Sequence, residues 1–410
     1  MDIVKESKGF STNQKRTLAS TSTGFALENM DSMFLSFALS SMILTLHISP
    51  AAAGLTSSIT NIGKFVGALL FGILADKFGR VKVFSYTIFL FAIATGLLFF
   101  VHNIYEIYAL RFIAGIGAGG EFGAGVALIA ENFRGHKIGK LVSWSATGGQ
   151  LGAIVAAIIA SIVLPLYGWN TLFLFGLIPV ILAFFIRRHL KESPAFVEEK
   201  SKHDDQAPKV SILELFKTPS IAWQTFGLMV MIIVEKAGYY GIMSWLPTIM
   251  QKQLHTSISK SSLWMVVTII GICIGMATFG YILDWLGPRL AFGLYMIVAA
   301  VSIYGIAIAH SPITLLLSSA FAGFFASGFY GGFGAVISRL YPTRIRSTAN
   351  NTIMACGQLI GGLSPFVMGF LMAKYSLFQI MMMLSAMYIV AVLVMLSIRN
   401  IGKFNKEYAK

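Results

Sequence analysis

Charged side chains are scarce in this sequence. Asp, Glu, Lys and Arg make up 12% of its residues, against about a quarter in soluble domains, so a water-facing globular surface is excluded. Cysteine is nearly missing as well. Cys273 and Cys356 both sit in apolar runs and read as small buried hydrophobes, which leaves no disulfide framework and no metal-ligand spacing. The phosphate loop GxxxxGK[ST] is absent, which argues against an ATP-driven pump. No nucleophile–base arrangement suggests an enzyme, and no cofactor is expected. Residues 1–16 carry no apolar segment, so no cleavable signal peptide is expected and the first helix directs insertion.

What is present is apolar surface. Hydrophobic residues reach 56%, in runs that meet the roughly 20 residues a helix needs to cross a hydrocarbon core. Twelve runs are read, near 19–46, 54–75, 82–101, 106–131, 139–165, 170–188, 220–250, 261–283, 291–309, 313–338, 349–372 and 378–398. They are continuous rather than alternating, which excludes barrel strands. The predicted fold is an all-α membrane protein with twelve transmembrane helices. Residues 190–219 form the one long polar interval, so the expected domains are an N-terminal six-helix bundle (1–189), a cytoplasmic linker (190–219) and a C-terminal six-helix bundle (220–410).

The formal charge of +14 would suggest nucleic acid in a soluble protein. Its distribution gives a different answer. With the N-terminus inside, 25 of the 31 Lys and Arg residues fall in cytoplasmic segments, while the external loops hold only Lys252, Lys260 and Lys374. That bias predicts both termini in the cytoplasm of a cell inner (plasma) membrane. Nucleic acid is not an expected partner; the bilayer is.

An internal repeat runs through the chain. Asp76-Lys-Phe-Gly79-Arg80 and Asp284-Trp-Leu-Gly-Pro-Arg289 lie 208 residues apart, and the same offset carries Gly149-Gln150-Leu151 onto Gly357-Gln358-Leu359. Two similar halves of membrane helices predict two pseudo-symmetric bundles with a site at their interface. In Gly72-Ile-Leu-Ala-Asp76-Lys-Phe-Gly79-Arg80 the glycines allow close packing and a tight turn. Asp76 and Arg80 either latch one conformation or only anchor topology.

These turns, with twelve spans and a long central loop, resemble the major facilitator superfamily. The resemblance covers essentially the whole chain and implies a central cavity opened alternately to each side. It also implies a cytoplasmic gate containing Gly72, Asp76, Gly79, Arg80, Asp284 and Arg289. Arg111-Phe-Ile-Ala-Gly115-Ile-Gly117-Ala-Gly119-Gly120-Glu121-Phe-Gly123, ending at Glu131, is similar to the metabolite, sialate and lactate proton symporters. So are Glu192-Ser-Pro194 and Tyr341-Pro-Thr-Arg344-Ile-Arg346. Glu28-Asn-Met-Asp31 resembles the acidic pair of organic-acid symporters, with Glu28 standing where Asp is common. Glu131, near the cytoplasmic end, is assigned to the gate or the bundle interface.

Ionisable groups inside spans are expensive, which makes the few present informative. Desolvation disfavours a carboxylate's charged form and a facing arginine favours it, so alternating exposure is able to load and release a proton. Asp31 with Arg111 reads as proton carrier and partner, or as a permanent ion pair. Glu28 and Glu121 are the other proton candidates; Glu121 is either a functional site or a carboxylate bonded to a neighbouring helix. Lys64 and Lys236 offer cations to an anionic cargo, though Lys236 has Glu28 and Glu235 as alternative partners. Gln150 and Gln358 offer amides to cargo or to helix–helix bonds. Tyr239 and Tyr240, with Trp245 and Pro247, suggest an aromatic wall and a kinked helix, or the tyrosines serve as interface anchors. The seven histidines fall at loops, so a histidine relay is not expected. The expected function is proton-coupled uptake of a small organic anion by a monomer. Neutral-sugar carriage and drug or metabolite export are the alternatives. Export is the weaker, because Ser143–Ala157 lacks the proline that such exporters carry in helix five.

Overall fold

The computed structural model describes residues 10–133, 138–189 and 212–403. Most of the predicted linker therefore lies outside the described residues. Twelve helical passes form the molecule. In the first half they are α1 (Thr12–Thr45), α2 (Pro50–Phe78), α3 (Arg80–Leu97), α4 (Ile104–Asn132), α5 (Ile138–Leu172) and α6 (Ile178–His189). In the second they are α7 (Pro219–Leu254), α8 (Ile258–Leu286), α9 (Pro288–Ser302), α10 (Pro312–Gly328), α11 (Thr343–Cys356) and α12 (Leu377–Ser397). Three passes are interrupted. α9 resumes at Tyr304–Ile308, α10 passes through a tight turn into Gly332–Leu340, and α11 widens into a π-turn at Gly357–Gly361 before Ser364–Leu371.

Among the described residues, nine segments are long and apolar enough by themselves to cross a membrane. α5 and α6 count there as one segment, since the helix runs on through Gly168 at φ 78°. α1 and α4 are not among the nine, and both carry ionised side chains at mid-length. Adding these crossings gives the twelve expected.

The repeat is far more extensive than the two sequence matches that reveal it. Ser49 and Ser257 cap α2 and α8 by accepting from the backbone N–H three residues on, and Asn103 and Ser311 do the same for α4 and α10. Such caps satisfy the free N–H groups of a first turn, typically contributing about 1 kcal/mol. His47 and His255 share a left-handed φ of 51° and 50°. Gly79 and Gly287 turn the chain into α3 and α9 at φ 105° and 77°, a region where glycine pays no steric penalty. Every pair is separated by the same offset.

Packing repeats too. Gly63 and Gly67 of α2 bring its backbone directly against the carbonyls of Phe112 and Ile116 in α4, leaving no room for a β-carbon. Gly271 and Gly275 of α8 meet Ala320 and Phe324 in α10 identically. Small residues of this kind let membrane helices approach closely where the hydrophobic effect gives no drive.

The halves meet where α1 faces α7, α2 faces α11 and α5 faces α8. One end of the α2–α11 seam is closed. Gly54 abuts the Pro365 carbonyl, Gly369 abuts the Pro50 carbonyl, and Phe366 N–H donates to Ser58 Oγ at 3.2 Å. We call this the Ser49 end. At the opposite, Gly79 end, Gly72, Gly331 and Gly334 have no described atom within 4 Å of a would-be β-carbon, which also holds for Gly168 and Gly280.

Candidate functional site

Asp31 and Arg111 form a closed clasp. Arg111 Nη1 donates to both Asp31 oxygens at 3.0 Å, its Nε donates to Thr60 Oγ1 at 3.1 Å, and Thr95 Oγ1 donates to Asp31 Oδ1 at 2.8 Å. Arg111 is fully buried and Asp31 is 3% exposed. Four helices, α1 to α4, are tied by these bonds. The two residues expected as the leading proton pair are therefore bonded to each other and to two threonines, with Arg111 Nη2 left unbonded among the described residues.

Beside the clasp, Lys64 is ion-paired with Glu28 and donates to Ser32 Oγ at 3.1 Å, while Ser32 Oγ donates to Glu28 at 3.2 Å. Lys64 thus already has an anionic partner, which its reading as a cargo cation had not supplied. Glu121 differs from the other described acids of this half. It is completely buried, its Oε1 lies against Gly24 of α1, and neither carboxyl oxygen has a hydrogen bond among the described residues. It is not bonded to a neighbouring helix. Glu28 and Lys64 are close enough for their charges to act on it.

In the second half, Lys236 pairs with its neighbour Glu235 at 3.7 Å, not with Glu28. Adjacent helical residues diverge, and the burial follows: Glu235 is 1% exposed, whereas the Lys236 side chain retains 11%. The Lys236 ammonium stands 3.6 Å from the centre of the Tyr330 ring, with Tyr239 and Tyr240 at 5.7 and 5.6 Å. An ammonium over tyrosine faces is attracted by the ring quadrupoles. Tyr239 and Tyr240 are half-buried beside it, edge-to-face at 5.3 Å. Trp245 is not: it is fully buried and its Nε1 donates to the Pro365 carbonyl at 2.9 Å, fastening α7 to α11. Pro247 lies within α7.

A hydrogen-bonded chain crosses between the halves. Tyr240 donates to Gln358 Oε1 at 2.7 Å, Gln358 Nε2 donates to Asn61 Oδ1 at 3.2 Å, and Asn61 Nδ2 donates to the Gly362 carbonyl at 3.1 Å. Gln358 sits in the π-turn of α11. Gln150, its repeat mate, is half-buried on α5 with Oε1 unbonded among the described residues. Lys64 and Tyr240 are near enough to interact electrostatically across the seam. Glu28, Lys64, Lys236, Tyr239, Tyr240 and Gln358 therefore share one interior region, and none of Asp31, Arg111 or Glu121 faces lipid.

The gate candidates sit at the Gly79 end. Arg80 Nη1 donates to the Ala75 carbonyl at 2.9 Å, across the Gly79 turn. Asp284 is exposed, and Arg289 donates to the Leu396 carbonyl of α12. Gly72 lies in an unfilled stretch of α2. The side chains of Asp76 and Glu131 lie outside the described residues.

Sequence reasoning missed Asn61, Tyr330, Thr60 and Thr95. Asn61 and Thr60 close the polar stretch Thr56-Ser-Ser-Ile-Thr60-Asn61, an anomaly in a span that was available to be read. Tyr330 lies among glycines, with no local signal for the lysine that rests on it.

Two linked bundles with ionisable groups around their shared seam define a membrane transporter that works between the bundles. The sequence matches the Major Facilitator Superfamily over residues 21–291 and 228–407, and the chain belongs to that family. It is a transporter and not an enzyme. A candidate metabolite transport protein of Haemophilus influenzae is 36% identical over 92% of this chain and 94% of its own length. The niacin transporter of Acinetobacter baylyi is 26% identical, with 93% of each covered. Among solved structures, a D-xylose–proton symporter superposes with a TM-score of 0.78 at 20% identity, covering 94% of this chain and 98% of that one, a likeness of fold.

Proposed function

We propose that the protein takes up a small organic carboxylate together with protons, bound between Lys64 of the first half and Lys236 of the second. The observation that carries this reading is Lys236: a partly accessible ammonium at mid-helix, set over Tyr330 and flanked by Tyr239 and Tyr240. An ammonium against three ring faces suits a flat carboxylate, whose anion meets the cation and whose body stacks on tyrosine. Niacin, the cargo for which one relative is named, is such a molecule. The halves rock about the seam, with the Gly79 end cytoplasmic by the distribution of lysine and arginine. The closed Ser49 end then makes this the inward-facing state.

The clasp of Asp31 and Arg111 serves as a fixed brace under this reading, since neither group is able to change charge without breaking several bonds. Glu121 is the acid of the first half placed to carry a proton. An unbonded buried anion is costly, and protonation removes that cost without disturbing a partner.

Purified protein in liposomes, given a pH gradient and a panel of nicotinate, benzoate, lactate and xylose, tests the proposal. Accumulation of a carboxylate with co-moving protons is expected. Movement of xylose alone would replace it with a second reading, neutral-solute carriage. That reading draws on the two ion pairs, Lys64–Glu28 and Lys236–Glu235, which already balance the chamber's charge.

A further inference from the structure

We infer that Glu235 ties proton binding to cargo binding by competing with the cargo for Lys236. The inference rests on the anionic-cargo reading and deepens it at the same site. Lys236 is the one cation in contact with Glu235 among the described residues, at 3.7 Å. Glu235 is 1% exposed and its Oε2 has no hydrogen bond. The other titratable groups that face it are neutral tyrosines: Tyr330 from α10 and Tyr388 from α12. The Tyr388 hydroxyl is committed to the Ala326 carbonyl at 3.4 Å. α11 offers only glycine here, with Gly361 against the Lys236 stem. Among the described residues no second cation is ion-paired with Glu235.

A cargo carboxylate and Glu235 therefore compete for the one Lys236 ammonium. When a cargo carboxylate takes the ammonium, Glu235 is left as a bare buried anion, which is strongly destabilising. Taking up one proton restores neutrality. In the full exchange the Lys236–Glu235 ion pair, a cargo anion and a proton from water become a Lys236–cargo ion pair and neutral Glu235. On release, Lys236 returns to Glu235 and the proton departs. Glu235 acts wholly through Lys236 and never touches the cargo. By reciprocity, a proton on Glu235 must tighten cargo binding as much as cargo tightens the proton. Cargo affinity is thus highest at low pH and is lost as pH rises, because deprotonated Glu235 reclaims the ammonium.

The experiment uses the purified full-length protein in detergent micelles, with nicotinate or benzoate as probe, whichever is transported. Wild-type binding should take up protons from a weakly buffered solution. Its affinity should fall by about tenfold per pH unit above the Glu235 titration, the slope for one linked proton. Glu235→Gln should bind the probe with an affinity flat across the same pH range, and Glu235→Asp should restore the slope. A Glu235→Gln variant that keeps the wild-type pH profile overturns the inference. If that variant does not fold, wild-type binding without proton uptake overturns it equally. Failure of the wild type to bind any carboxylate removes the functional reading itself, a distinguishable result.

Discussion

Asp31 and Arg111 hold each other through bonds that leave little freedom at residue scale. Replacing Asp31 by Asn strands a guanidinium in a dry interior, which costs about 3–5 kcal/mol. Asp31→Asn is therefore expected to lower the unfolding temperature in detergent and to abolish both accumulation and exchange. Glu121→Gln should behave in the opposite way. It replaces a carboxyl that has no hydrogen bond among the described residues, so folded yield should be unchanged, exchange retained and uphill accumulation lost in liposomes under a pH gradient. Retained accumulation in Glu121→Gln would move the proton to another acid. The residues of both sets were legible beforehand, because an acid or base inside an apolar run is conspicuous. Their pairing was not legible. Whether Lys236 turns to Glu28 or to Glu235 depends on helix rotation and on where Tyr330 falls, a contact across 94 positions that no local pattern encodes.

Elements show the repeat more fully than residues do. Gly67→Ala and Gly275→Ala place a β-carbon against backbone carbonyls at equivalent crossings, and overpacking of this kind costs about 1–3 kcal/mol. Both should lower thermal stability in detergent by similar amounts, whereas Gly72→Ala, with open space around it, should not. Unequal effects at positions 67 and 275 would mean that the two crossings are not energetically equivalent. The twelve spans were readable from apolar length, since a bilayer demands a fixed span. Sequence identity had faded at most repeat positions, yet capping chemistry persisted: Asn103 and Ser311 differ as residues but offer the same acceptor to a helix start. The breaks in α10 and α11 left weaker traces, because glycine-rich runs serve close packing and helix interruption alike.

Across the whole molecule, the closed α2–α11 seam predicts which end is open. In a background with Cys273 and Cys356 replaced by Ser, a cysteine pair at positions 58 and 366 should crosslink readily and stop transport. A single cysteine at position 72 should then react with a bulky thiol reagent from the Gly79 side. Failure of the pair to crosslink, or a protected position 72, would contradict the closure described. This level of organisation was the least legible in advance. Composition gives the number of crossings and charge an expectation of their direction, but one sequence serves every state of the transport cycle.

The π-turn at Gly357–Gly361 carries a mechanical implication. A wide turn of this kind interrupts the regular hydrogen-bond ladder and lets a helix bend there. α11 is thereby a jointed rod: its Ser364–Leu371 part is fastened to α2, while its Thr343–Cys356 part packs on α7. Gln358 stands at the elbow. On the proposed reading, cargo that hydrogen-bonds this amide would act directly on the break in the helix.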